Sequence, residues 1–270
     1  MSGKRSLLPR EHGAYGQLAF PAASALLLGR PSLSSLLLVG SAVAAFLGHE
    51  PLVVLLGRRG PRARREDGPR AARALALAAG TAIVSAAVAL ALASPEARLS
   101  IVPTAILGIV ATGLVLTAHE KTLGGETLVA SALSSLALPV AVMAGVSWRA
   151  AGTAAIAWVL SFSIATLGVR EVLAQSRGQG NKLSTIALSL GALGLGLALA
   201  ARGALPWQGP LAALPFLVLC VPLVLRAPHP RHLKRVGWGL MAASGVTLAI
   251  LLASGVGSLP VSAGHVASLP

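Results

Sequence analysis

Charged residues are scarce in this chain. Only 11% of its 270 residues are charged, whereas average soluble domains carry about 25%. Hydrophobic residues make up 55%, and the mean hydropathy of +0.79 leaves too little polar surface for a water-facing shell. These figures exclude a soluble globular domain and a disordered chain. The apolar runs are continuous rather than alternating, which also argues against an outer-membrane barrel.

Cysteine and aspartate each occur once, as Cys220 and Asp67. One thiol cannot form an internal disulfide, so a disulfide framework is excluded and the redox compartment is not indicated. Cys220 lies inside an apolar run and is interpreted as a buried or lipid-facing hydrophobe. Hard cations such as Mg²⁺ prefer clustered oxygen ligands, and a single aspartate provides no such cluster. The residues therefore predict no metal site.

Nine continuous apolar segments occupy most of the chain. A membrane helix needs about 20 predominantly apolar residues, and Gly, Pro or charged residues separate the segments where helices should end. The sequence therefore predicts an all-α, polytopic membrane protein with a single membrane domain over residues 1–270, ending in a flexible tail at 255–270. The predicted helices lie near 14–29, 33–57, 72–93, 99–118, 127–146, 150–169, 183–201, 205–225 and 236–254.

The net charge of +14 suggests nucleic-acid binding at first sight, but the distribution of the basic residues favours membrane topology. If nine helices alternate from a cytosolic N-terminus, 18 of the 22 Lys and Arg residues fall inside, and only Arg30, Arg98, Arg149 and Arg202 fall outside. This split predicts a multi-pass protein of the cytoplasmic (inner) membrane with an external C-terminus. Its expected partner is membrane lipid, and no nucleic acid is expected.

Polar residues on the predicted cytosolic side define a candidate ligand pocket. Glu50 interrupts an apolar helix, where a carboxylate is costly unless it faces a cavity or a partner. A glutamate paired with an arginine for packing alone is the alternative interpretation. The partners considered for Glu50 are His12, Arg170, Arg58 and Arg59. The candidate pocket residues are His12, His49, Glu50, Arg170 and Glu171.

The stretch from Arg58 to Arg73 is the most basic segment and is predicted to be mainly a loop, over residues 58–70. Basic residues near a membrane surface attract anionic headgroups, so Arg58, Arg59 and Arg62 are candidate ligands for a phosphate. The alternative is a topology determinant that binds nothing specific.

Three sequence features resemble the YwiC-like bacterial membrane proteins. They are the opening Pro9-Arg10-Glu11-His12-Gly13-Ala14-Tyr15-Gly16, the Glu50-Pro51-Leu52 of helix 2, and the basic segment after it. The resemblance seen in these features implies a membrane protein without a settled activity.

Nine helices with polar connections after helices 2 and 6 also resemble the UbiA-type prenyltransferases. That resemblance implies four plus four plus one helices around a lipid-open pocket, with two Asp-rich motifs holding Mg²⁺ on a polyprenyl diphosphate. This chain lacks such motifs, although Glu50 and Glu171 stand roughly where they would begin.

The sequence is compatible with three functions. The first is a membrane protein whose cytosol-facing polar pocket holds an isoprenoid-like or other amphiphilic ligand. The second is a divergent prenyltransferase acting on a polyprenyl diphosphate, and the third is a small-solute transporter. No cofactor is expected, except Mg²⁺ in the prenyltransferase alternative.

Overall fold

The computed structural model describes residues 6–9, 12–226, 228–229 and 233–256, with only the backbone of His12. Every regular element in these ranges is a helix. The predicted tail at 255–270 lies outside the described residues beyond Val256. The helices are α1 (His12–Leu28), α2 (Leu33–Leu55), α3 (Pro61–Leu92), α4 (Pro95–Thr117), α5 (Leu123–Ser135), α6 (Ala137–Met143), α7 (Trp148–Gln175), α8 (Lys182–Ala201), α9 (Gln208–Ala212), α10 (Leu214–Arg226) and α11 (Leu233–Ala253).

The predicted multi-pass helical fold is confirmed. Seven helical segments in the described part of the chain are long and apolar enough to cross a membrane, with α5 and α6 counted as one. The exceptions among the predicted spans are α1, which has 17 residues, and α10, which has 13. A spanning helix typically needs about 20 residues. The count of nine crossings therefore stays a prediction.

Two predicted helix boundaries were wrong. Helix α3 begins at Pro61 rather than near residue 72, so most of the predicted basic loop is helical. Proline at the first helical position is pre-organised for a helix, and the Ala, Arg and Glu residues that follow are good helix formers. Helix α7 continues to Gln175. Arg170 and Glu171 therefore lie on a helix rather than in a loop.

Two predicted helices are each divided into two. The segment predicted near 127–146 is split at Leu136 into α5 and α6, and the one near 205–225 is split at Ala213 into α9 and α10. A proline follows each break, Pro139 in α6 and Pro215 in α10. Proline has no N–H to donate, so each removes a backbone hydrogen bond near the break.

Helix α7 forms the centre of the bundle. Of its apolar window 67% is buried, and it packs against α1, α5, α6, α8, α9 and α10. Its Trp158 stacks on Phe162 at a centroid distance of 5.5 Å and donates a hydrogen bond from Nε1 to Ser24 Oγ at 2.7 Å. Phe162 contacts Phe216 of α10 at 5.4 Å. These rings join α1, α7 and α10 around one core.

Helices α3 and α4 lie at the periphery. Only 6% and 11% of their apolar windows are buried. Helix α3 packs along α2, where Ser41 Oγ donates to the Ala82 carbonyl at 2.8 Å, whereas α4 packs on α5 and α6. Their remaining apolar surface is typical of helices that face lipid.

Candidate functional site

The polar contacts concentrate at one end of the bundle, which carries the α2–α3, α4–α5 and α7–α8 connections. We call it the basic end. At this end Arg59 binds Glu50 through two hydrogen bonds, from Nε to Oε1 at 2.8 Å and from Nη2 to Oε2 at 2.6 Å. Glu50 is buried, with 1% of its side chain exposed, while Arg59 is 33% exposed. The paired geometry is the strong, orientation-specific form of an arginine–carboxylate interaction.

Glu50 faces the interior of the bundle, as the sequence predicts for a carboxylate at membrane depth. It follows Phe46 by one turn on the same face of α2, and Phe46 contacts Tyr15 of α1 edge to face at 4.9 Å. Glu50 therefore lies on the same face of α2 as the contact with the first turn of α1. That turn begins at His12, but the side chain of this candidate pocket residue lies outside the described part. His49 precedes Glu50 in α2 and has at least one interaction of its own.

Two arginines from different parts of the chain hold the α4–α5 connection. Arg58 donates from Nη1 to Glu120 Oε2 at 3.1 Å and from Nη2 to the Leu116 carbonyl at 2.9 Å. Arg170 of α7 donates from Nη1 to the Lys121 carbonyl at 2.8 Å and pairs with Glu126 Oε2 at 3.1 Å. These contacts tie the end of α2 to α7 through residues 116–126.

Glu171 organises the α7–α8 connection. It is 6% exposed, and its carboxylate accepts hydrogen bonds from Gln175 Nε2, the Asn181 backbone N–H and Thr185 Oγ1 at 2.8, 3.0 and 3.2 Å. A Cβ atom at Gly180 would lie 2.5 Å from Glu171 Oε1, so only glycine allows this approach. A carboxylate beside the first turn of α8 is favourable, since it complements the helix dipole.

The pocket residues predicted from the sequence therefore fall into two groups. His49 and Glu50 lie on α2, and Arg59 pairs with Glu50. Arg170 and Glu171 belong to α7, where their described contacts reach the 121–126 segment and the start of α8. Of the four partners considered for Glu50, Arg59 contacts it and Arg170 instead pairs with Glu126. Glu50 has at least one further interaction, and the His12 side chain lies outside the described part.

The three predicted phosphate ligands are all engaged with carboxylates. Arg58 binds Glu120, Arg59 binds Glu50, and Arg62 binds Glu66 at 2.6 Å in an exposed i,i+4 pair. Three other arginines of the same segment are exposed and make no hydrogen bond or ion pair with the described residues; they are Arg64, Arg65 and Arg73. The assignment of Arg58, Arg59 and Arg62 to a phosphate stays a prediction, and the unpaired arginines lie in the same basic segment.

A cleft of about 420 Å³ lies on the N-terminal part of α3, and of these three unpaired arginines it is Arg73 that lines it. Its lining residues are Glu66, Asp67, Pro69, Arg70 and Arg73. Asp67 is 9% exposed and has no hydrogen-bond or ion-pair partner among the described residues. Sequence reasoning did not select Asp67. The available signal was its i,i+4 spacing from Ala63 and Ala71, both buried, which places it on the packed stripe of a helix.

A second cleft of about 590 Å³ opens at the opposite end of the bundle. There the α1–α2 turn meets the α6–α7 turn, and Arg30 N donates to the Ala144 carbonyl at 2.8 Å. Its lining is mainly apolar side chains and backbone, with Arg30 as its charged residue. No group of three or more His, Cys, Asp or Glu side chains that could hold a metal ion occurs within the residues described.

The comparisons with known proteins identify a family. The profile of the YwiC-like protein family matches residues 8–142, which is half of the chain. The chain therefore belongs to the YwiC-like family, and the resemblance found in its sequence is confirmed. No curated protein and no solved structure matches the chain at a significant level. The UbiA-like architecture stays a prediction.

Proposed function

We propose that this YwiC-like membrane protein binds a phosphate-bearing amphiphile, either a lipid or an isoprenoid-like molecule, at its basic end. The observation that carries the proposal is the exposed arginine set on the first turns of α3. Arg64, Arg65 and Arg73 have no carboxylate partner among the described residues, whereas the neighbouring Arg59 and Arg62 do. Guanidinium groups without a partner offer paired donors that match phosphate oxygens.

The position of these arginines along α3 supports an amphiphile rather than a soluble anion. The apolar, exposed part of α3 begins directly after Arg73, with Leu77 73% exposed. A ligand with a phosphate and a hydrocarbon chain meets both surfaces at once. Each basic residue near an anionic membrane surface contributes about 1 kcal/mol.

The proposal includes an orientation. The basic end is taken as the cytoplasmic end, because Lys and Arg accumulate in the cytoplasmic connections of inner-membrane proteins. In this arrangement Glu50, Arg170 and Glu171 do not contact the ligand. They hold the connections that frame the headgroup site.

A divergent prenyltransferase remains an alternative, with one requirement on its carboxylates. It needs the carboxylates of Glu50 and Glu171 to share one metal–diphosphate group. Both oxygens of Glu50 instead accept from Arg59, and those of Glu171 accept from Gln175, Asn181 and Thr185.

Small-solute transport is a second candidate, favoured by one observation. Broken helices in both parts of the chain are typical of transporters, and the predicted spans are divided at Leu136 and Ala213. If the α5–α6 break lines a transport path, a cysteine replacing Ser135 in a Cys220→Ala background should react with a water-soluble maleimide from both sides of the membrane. Absence of labelling would remove this candidate.

Binding of farnesyl phosphate to the purified protein in detergent tests the main proposal, with farnesol as the probe that lacks the phosphate. The triple variant Arg64→Gln, Arg65→Gln, Arg73→Gln should bind farnesyl phosphate about 10- to 100-fold more weakly, because removing three basic residues costs up to about 3 kcal/mol. Farnesol should bind weakly to both proteins.

A matched triple variant at the opposite end, Arg30→Gln, Arg149→Gln, Arg202→Gln, removes the same charge and should bind like the wild type. Equal losses in the two triple variants would mean that net charge alone attracts the ligand. Equal binding of farnesyl phosphate and farnesol would refute a phosphate site.

A further inference from the structure

The carboxylate of Asp67 is open to a donor from the α3 cleft. The side chain is nine-tenths buried, lines the cleft and has no partner among the described residues. Its oxygens are not enclosed, because the buried polar side-chain atom without a partner in the described part is Ser161 Oγ. A carboxylate can only accept hydrogen bonds, so a ligand group that enters the cleft can donate to it in place of water, and a cationic donor forms the stronger hydrogen bond.

The same cleft also presents guanidinium groups. Arg70 and Arg73 line it together with Glu66 and Asp67. Arg73 is exposed and has no described partner, whereas Glu66 is paired with Arg62. The cleft therefore combines one carboxylate and one guanidinium that have no partner among the described residues. An anionic headgroup pairs with Arg73 alone and leaves Asp67 without a donor from the ligand.

An apolar stripe continues from the cleft along α3. Residues 66, 70, 73, 77, 84 and 88 repeat at spacings of three, four or seven and share one face of the helix. On this face Leu77, Val84 and Val88 are 73%, 62% and 42% exposed. The face that packs on α2 is a different one, which carries Leu75, Ala78 and Ala82. The stripe offers a hydrocarbon chain a surface directly above the cleft.

We infer that the α3 cleft binds the headgroup of a zwitterionic phospholipid with a primary ammonium, of the phosphatidylethanolamine class. The ammonium donates to Asp67, Arg73 donates to the phosphate, and an acyl chain lies on Leu77, Val84 and Val88. This inference rests on the proposed function and names its ligand. The trimethylated ammonium of phosphatidylcholine has no N–H and cannot donate to Asp67.

Lipid binding to the full-length protein in detergent tests the inference. The probes are dioleoyl phosphatidylethanolamine, dioleoyl phosphatidylcholine and dioleoyl phosphatidylglycerol, measured by native mass spectrometry. The wild type should prefer the ethanolamine lipid over the choline lipid by about tenfold. Asp67→Asn should lose this preference, and Arg73→Gln should weaken binding of all three lipids. Glu96→Gln, which removes an exposed carboxylate at the opposite end, is the matched control and should behave like the wild type.

A competition assay can be carried out on the wild type alone, so its result does not depend on whether a variant folds. Soluble O-phosphoethanolamine should displace the bound lipid at about tenfold lower concentration than phosphocholine. Equal displacement, or an Asp67→Asn variant that keeps the preference, would overturn the inference. If all three lipids bind equally and need Arg64, Arg65 and Arg73, the proposed function stands and this assignment fails. If no phosphate-bearing lipid binds, both fail.

Discussion

At the scale of single residues, Glu50 links the sequence pattern to the structure most directly. Its position inside an apolar helix predicts an interior carboxylate with a partner, and the structure provides that partner in Arg59. The arginine lies nine residues later, where α2 has ended and the chain has turned back. This arrangement matches the alternative in which a glutamate is paired with an arginine for packing, and the role of Glu50 in a ligand pocket stays a prediction.

Removing one partner of this pair should destabilise the protein. Breaking a buried ion pair typically costs about 3 kcal/mol, since the remaining charge is left without compensation. We expect Glu50→Ala to lower the thermal unfolding temperature in detergent, and Glu50→Gln to lower it less because the amide still accepts a hydrogen bond from Arg59. The measurement is intrinsic tryptophan fluorescence during heating.

Glu96→Ala provides the control, because Glu96 is exposed on the first turn of α4. The double variant Glu50→Ala, Arg59→Ala should lose less stability than the sum of the two single variants. A Glu50→Ala protein that melts like Glu96→Ala would contradict a stabilising pair.

The pairing of the remaining arginines was not predictable from the sequence. The positive-inside rule accounts for their accumulation between helices but does not distinguish a paired arginine from a free one. Arg58 finds Glu120 62 positions later, and Arg170 finds Glu126 on another helix. Such partners depend on which helices are neighbours, whereas Arg62 pairs with Glu66 within its own helix.

At the scale of elements, the α4–α5 connection at the basic end is held by both capping and side-chain contacts. Thr122 caps α5 by accepting from the Gly125 backbone N–H at 3.0 Å, and Ala118 closes α4 in the left-handed conformation with φ of 65°. Arg58 and Arg170 hold the same connection from two sides. Its backbone is therefore fixed by four separate residues.

Two adjacent glycines provide a matched test of this connection. A Cβ atom at Gly125 would overlap the His119 carbonyl oxygen and lie 3.0 Å from the Glu120 backbone, whereas a Cβ atom at Gly124 meets nothing within 4 Å. Gly125→Ala should therefore reduce the free energy of unfolding by about 1–3 kcal/mol, the usual cost of overpacking.

Gly124→Ala should be neutral or slightly stabilising, because alanine favours a helix more than glycine does. Chemical denaturation of both variants in the same detergent measures the difference. Equal stability of the two would show that the connection moves aside without cost.

The first turns of α3 show where sequence reasoning about elements failed. A run of charges that includes Gly68 and Pro69 is typical of a loop, yet the helix continues through both residues. The buried Ala63, Asp67 and Ala71 explain the difference, because their spacing allows one stripe of this segment to pack while its arginines remain exposed. Because this stripe contains so few apolar residues, the many charges of the segment lead to a loop prediction when only the sequence is considered.

At the scale of the whole molecule, two short helical segments lie alongside α7 over much of its length. They are α1 and the α9–α10 pair. In α1, Gln17 lies within 3.5 Å of Thr166, and Ser24 accepts from Trp158. Along α9 and α10, Gly209 approaches Thr153, and the Val224 carbonyl accepts from Gln175. Helix α7 is itself long and apolar enough to cross a membrane. These contacts favour nine crossings, with the break at Ala213 lying inside one of them.

Alkaline phosphatase fusions test the crossings one by one, because the enzyme is active only after export. With the basic end in the cytosol, fusions after Gly60, Lys121 and Arg226 should be inactive. Fusions after Ala93, Gly203 and Pro270 should be active. The pair at Gly203 and Arg226 isolates α9 and α10, two short helices of 5 and 13 residues. An active fusion after Arg226 together with an inactive one after Pro270 would mean that α9 and α10 fold against α7 without crossing. Activity after Gly60 would place the basic end outside and contradict the proposed cytosolic lipid site.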